Sequence, residues 1–138
     1  MDYRVDLDSA HGVIRLTVTA EIVTPELAED IYICLKRIAS SGGPYAAIYD
    51  LSEAKSTTLT TDAVRGFARR SPSVPMGRTH VVVGKEPCIY GLARVFQMCR
   101  EFLGSEFEVV HSLEEAYEII GARPEDFTQH LYPERMGA

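Results

Sequence analysis

Residues Thr79 to Val83 form a short, largely β-branched run that stops at Gly84, the pattern of a strand covered on both faces in a parallel or mixed sheet. Such a strand sits in the interior of a sheet, so the rest of the chain has to cover it. Pro87 follows closely, where its missing N–H costs nothing and its fixed φ suits a first helical turn. A helix is predicted from there to about Leu103, ending at Gly104. At about 100° per residue, Cys88, Ile89, Leu92, Ala93, Val95, Phe96, Met98, Cys99, Phe102 and Leu103 share one arc of roughly 220°. Tyr90, Arg94, Gln97 and Glu101 make up the remaining polar stripe, which reads as a solvated or partner-facing surface. A helix resting on one sheet needs an apolar face only somewhat over ~100° wide. A second cover is therefore expected, either a neighbouring helix or a second copy of the chain docked on Cys88 to Leu103.

Around this unit the chain alternates strand and helix patterns. Tyr3, Val5 and Leu7, then Ile14, Leu16 and Val18, alternate with polar residues about a turn at Ser9 to Gly12, as in an opening hairpin. Thr24-Pro25-Glu26 reads as an N-cap, an N1 proline and an acidic first turn, with Leu27, Ile31, Leu35 and Ile38 at helical spacing behind it. Ala46 to Leu51 is a second buried strand. The polar stretch Glu53 to Thr61 leads to a short helix with Val64, Phe67 and Ala68 inward. Phe107 to Val110 is a last strand, and Ser112-Leu113-Glu114-Glu115 fits a capping box for a helix closed by Gly121. The predicted order is ββαβαβαβα, an α/β fold with a mixed sheet of about five strands and four main helices. Residues 1–121 are expected to form one domain and 122–138 a tail with one docked helical turn.

Charge and cysteine content narrow the function. Twenty acidic against fourteen basic residues give a net charge of −6 without a dense basic run, so no nucleic-acid partner is expected. No apolar run approaches the length of a membrane span and the start lacks a signal-peptide pattern, which makes the cytoplasm the expected compartment. Cys34, Cys88 and Cys99 form no C-x-x-C pair and read as reduced core thiols.

Three stretches carry a family resemblance: the hairpin leading into Ile22-Val23-Thr24-Pro25-Glu26, the strand ending Tyr49-Asp50-Leu51-Ser52, and Pro87 to Phe96 followed by Ser112 to Ala116. Over residues 3 to 121 the chain resembles the SpoIIAA-like families, which include STAS domains and the related CRAL-TRIO lipid-binding folds. The second and third stretches look most like bacterial SpoIIAA-like proteins of unassigned function. The resemblance implies a stacked βα fold and a non-enzymatic regulatory role with a protein partner or a second copy. The CRAL-TRIO likeness implies, as the alternative, a small apolar ligand or lipid.

In the anti-sigma-factor antagonists of that group, a turn Asp-Ser-Ser-Gly holds a phosphorylated serine. The matching turn here, Thr58-Leu59-Thr60-Thr61-Asp62, replaces the aspartate, both serines and the glycine. Thr60 or Thr61 is the candidate phosphoacceptor, because a phosphate at a helix N-terminus is favoured by the dipole; as ordinary residues they are N-caps. An anion crevice is placed at Asp50, Ser52, Lys85, Tyr90 and Arg94, where loops leave the C-terminal ends of adjacent strands. An apolar pocket or interface is placed on Phe96, Met98, Cys99 and Phe102. The histidines are scattered and no nucleophile has a nameable base, so neither a metal, a cofactor nor a catalytic residue is assigned.

Overall fold

A computed structural model of the chain describes residues 2–74, 77–102 and 107–133. Strand β1 (Tyr3–Asp8) turns back into β2 (Val13–Val18), and a two-residue β3 (Ile22–Val23) precedes helix α1 (Pro25–Ala39). After β4 (Ala46–Asp50) comes a second two-residue strand, β5 (Ser56–Thr57), then α2 (Thr61–Arg69), β6 (His80–Val83) and α3 (Pro87–Phe102). The chain closes with β7 (Phe107–Val110), α4 (Leu113–Ile120), a 3-10 turn at Pro124–Asp126 and β8 (Gln129–Tyr132).

Six strands form the main sheet in the order β7-β6-β4-β2-β1-β8. The steps β2 to β4, β4 to β6 and β6 to β7 are parallel, whereas β1 pairs antiparallel with β2 and β8. The α/β class and the mixed sheet agree with the sequence. The sheet has one strand more than expected because residues 129–132 of the tail, beyond the anticipated helical turn, pair with β1. The polar stretch Glu53 to Thr61, read as loop, contains β5, which pairs parallel with β3 in a separate small sheet.

Local chemistry explains the helix ends. The Thr24 hydroxyl accepts from the Leu27 N–H at 3.1 Å, Thr60 from Ala63 at 3.1 Å, and Ser112 from Glu115 at 3.3 Å, so each satisfies one orphan donor. Gly121 ends α4 at φ 78°, a left-handed conformation that costs glycine little. Gly84 allows β6 to run directly under the start of α3, since a Cβ there would lie 3.1 Å from the Tyr90 backbone. The expected stop of α3 at Leu103 and Gly104 lies outside the described residues.

The two faces of the sheet are covered differently. Val13, Ile48, Val81, Val83 and Val110 pack with Ala116 of α4 and with Phe127 in one cluster. On the other face, Leu16, Val18, Val82 and Phe107 look toward α1, α2 and α3. Helix α2 lies alongside α3 and supplies the second cover that the wide apolar arc requires.

The arc itself is rotated relative to the sequence expectation. Ile89 is buried, and Ala93, Phe96 and Arg100 continue its line toward the sheet, while Met98 is 62% exposed and Cys88 is exposed as well. Cys88 is therefore not a core thiol; its Sγ reaches the Lys55 carbonyl at 3.6 Å. Gln97, assigned to a solvated stripe, is instead 5% exposed. It donates from Nε2 to the Phe107 carbonyl at 2.8 Å, and its Oε1 accepts from Arg94 at 2.7 Å. Helix α3 turns this amide inward because the β7 edge offers it a hydrogen bond, and the price of that choice is an exposed methionine.

Candidate functional site

The space between the sheet and helices α1, α2 and α3 is not filled. A cavity of about 250 Å³ lies there, walled by Leu16 and Val18 of β2, Ile31 and Leu35 of α1, Val82 of β6 and Phe96 of α3. The small β3–β5 sheet closes one side through Val23 and Thr57, and Val64 and Phe67 of α2 form another wall. Cores normally leave few voids larger than a water molecule. The volume falls just below the ~300–1,000 Å³ usual for drug-sized ligands.

A few polar groups enter this apolar wall. Tyr49 on β4 and His80 on β6 stack at 5.9 Å, and the Tyr49 hydroxyl lies 2.8 Å from His80 Nδ1. Burial pushes the Tyr49 phenol well above its ordinary value, so it stays neutral and serves as a hydrogen-bonding group. Arg100, in the last described turns of α3, is the one charged residue in the lining among the described residues. It is 6% exposed and its guanidinium sits 5.3 Å from the Phe96 ring centre. Its Nη2 donates to the Arg70 carbonyl at 3.3 Å, and among the described residues no carboxylate pairs with it. Desolvation lowers its pKa from the ordinary arginine value.

Beside Arg100, α1 and the end of α2 are tied together. Arg70 Nη2 donates to Glu29 at 3.0 Å, its guanidinium stacks 3.9 Å from the centre of the Tyr32 ring, and the Tyr32 hydroxyl donates to the Ser71 carbonyl. The hydrogen bond from Arg70 holds the Glu29 carboxyl below its usual range. Tyr32 also lines the cavity, so this cluster forms one end of it.

The residues singled out from sequence fall in several places. Phe96 lines the cavity, whereas Met98 is exposed and Cys99 is half-buried outside the lining. The side chain of Phe102 lies outside what is described. Asp50 is buried and its Oδ1 accepts from the Ser52 N–H at 3.0 Å, closing a turn. Strand alternation puts Asp50 on the Ile48 side of the sheet, away from the cavity. Lys85 is exposed, Tyr90 stacks on His111 at 4.0 Å and Arg94 is engaged with Gln97. Of these five, none lines the cavity. Thr60 is the N-cap of α2, and Thr61 is exposed beside it.

No protein-family model, no curated protein and no solved structure matches the chain.

Two arrangements were not visible in the sequence. Asp8, His11 and Asp126 bring potential ligand atoms within 4.8 Å of one another. Their contacts are accounted for inside the fold: Asp8 Oδ2 lies 2.8 Å from His11 Nδ1, and Asp126 is gripped by Arg123 at 3.1 Å. The other is Arg100. Its spacing from Ile89, Ala93 and Phe96 puts it in the middle of the sheet-facing stripe, and that periodicity could have marked it as a buried charge. Among the described residues, no helix is long and apolar enough to cross a membrane.

Proposed function

We propose that this chain is a SpoIIAA-like binding domain without catalysis, and that its regulatory input is a small apolar ligand held between the sheet and helices α1 to α3. The observation that supports this reading is the cavity of about 250 Å³ with an almost wholly apolar lining. The element order, the opening hairpin and the Tyr49-Asp50-Leu51-Ser52 strand end support the family part of the reading. A dry cavity of ~150 Å³ is known to accept benzene, and at ~30 Å³ per water-sized group this one takes roughly eight heavy atoms. An eight-carbon alkanol is therefore a suitable probe.

The test is a calorimetric titration of 1-octanol into the wild-type chain and into Val82→Phe, in which the new ring occupies the void. One-to-one binding is expected in the wild type and none in the variant, whose circular dichroism stays native. Wild-type protein that gives only the heat of dilution sinks the reading.

A further inference from the structure

Arg100 decides which kind of small ligand fits. Resting on the cavity reading above, we infer that the ligand is an amphiphilic carboxylic acid with an apolar body of about eight carbons, its carboxylate hydrogen-bonded to the Arg100 guanidinium.

A guanidinium stays charged even when desolvation lowers its pKa, and a buried charge is costly unless it is paired. Arg100 is 6% exposed and lines an apolar cavity, yet none of the ion pairs formed among the described residues includes it. Arg70 beside it is already neutralised by Glu29 and offers it only a backbone carbonyl. That carbonyl belongs to the C-terminal end of α2, where the helix dipole contributes roughly half a negative charge. Half a charge and one hydrogen bond at 3.3 Å leave most of a guanidinium's five donors without an acceptor among the described residues. Nε and Nη1 make no hydrogen bond among the described residues, and the second N–H of Nη2 completes with one of them the parallel pair of donors that a carboxylate accepts side by side. The Tyr49 phenol stands in the same wall and, pushed up by burial, stays neutral.

Octanoate, 1-octanol and octylammonium are straight eight-carbon chains that differ at the head, the eighth carbon of octanoate lying in its carboxylate, so titrating all three into the wild-type chain compares head charge at nearly constant chain length. Octanoate is expected to bind at least about tenfold tighter than octanol, the factor that corresponds to about 1.4 kcal/mol, and octylammonium not at all. In Arg100→Gln the octanoate advantage should vanish while octanol binding persists; in Arg100→Lys it should persist in part. Equal affinity for octanoate and octanol in the wild type overturns the carboxylate inference and leaves the cavity reading standing. Failure of all three to bind overturns both. The wild-type comparison needs no variant to fold, and octanol binding by Arg100→Gln reports that its cavity is intact.

Discussion

Two arginines reach into this fold from opposite sides of one sheet, and the chain treats them differently. Arg15 lies under α4 with 15% of its side chain exposed, donating to Asp6 at 3.3 Å and to the Tyr117 hydroxyl at 2.8 Å. Its guanidinium stands 4.5 Å from the Phe127 ring centre, and Asp6 is held in turn by His130 Nδ1 at 2.8 Å. Arg100, under α1 to α3, has a carbonyl and an aromatic ring but no carboxylate among the described residues. The first cation is supplied with its counter-charge by the sequence and locks β2, β8 and α4 together. The second borders a void, and in the reading proposed above its counter-charge comes with the ligand.

The largest expected effect separates these roles by stability. Arg15→Ala strips Asp6, which is itself buried, of its best-placed cation, and breaking a pair of this kind costs about 3 kcal/mol. Arg100→Met removes an uncompensated buried charge and puts a flexible apolar chain in its place, so the unliganded protein should change by less than about 1 kcal/mol and in the stabilising direction. Urea unfolding midpoints measure both. If Arg100→Met costs as much as Arg15→Ala in ligand-free protein, Arg100 is a structural residue and the contrast collapses.

A second pair of variants, expected to have a smaller effect, tests packing on the two faces. Val81 and Val82 are neighbours on β6, and alternation sends the first into the α4 cluster and the second into the cavity wall. Overpacking a filled core costs about 1–3 kcal/mol, so Val81→Phe should destabilise by that amount. Val82→Phe grows into existing space and should be neutral within about 1 kcal/mol. Equal losses, read from the same urea curves, mean that the space above Val82 is not available to a ligand.

The same two faces show what could be read from residue order alone. The filled face was legible because it is made of compact, largely apolar runs at Ala46 to Asp50, His80 to Val83 and Phe107 to Val110, whose burial is written in composition. Strand β8 was not, because Gln-His-Leu-Tyr has little pattern of its own and becomes a strand by pairing with β1 across a register shift between Val5 and Asp6. Strands β3 and β5 are two residues each and depend likewise on each other. On the cavity face, helical periodicity found Phe96, yet it assigned Met98 to the interior and Gln97 to solvent. An arc of roughly 220° is wider than the stripe that one sheet needs and leaves open which part of it turns to the sheet, so hydrogen bonding rather than hydrophobicity chose the buried direction. A void has no residue of its own, and of the residues assigned to an apolar pocket from sequence Phe96 is the one that the structure places on its wall.

The smallest effect concerns how a ligand reaches Arg100. The Glu29–Arg70 pair ties α1 to the end of α2 where Tyr32 borders the cavity, and pairs this exposed to solvent add little to stability. Glu29→Gln should therefore leave the urea midpoint unchanged while octanoate exchanges about twofold to threefold faster, an increase that salt produces in the wild type as well. The pH dependence follows from the lowered pKa of Glu29. A carboxylate whose folded pKa is depressed contributes fully above its unfolded value of about 4.3 and loses that contribution as pH falls through the folded one. Exchange measured by stopped flow should hence be flat from pH 5 to 8 for this group and quicken only below about pH 4. Exchange that is equally fast in the wild type and in Glu29→Gln would place the route into the cavity elsewhere, past the β3–β5 sheet, because the opening that limits ligand release would then not involve the contact between α1 and α2.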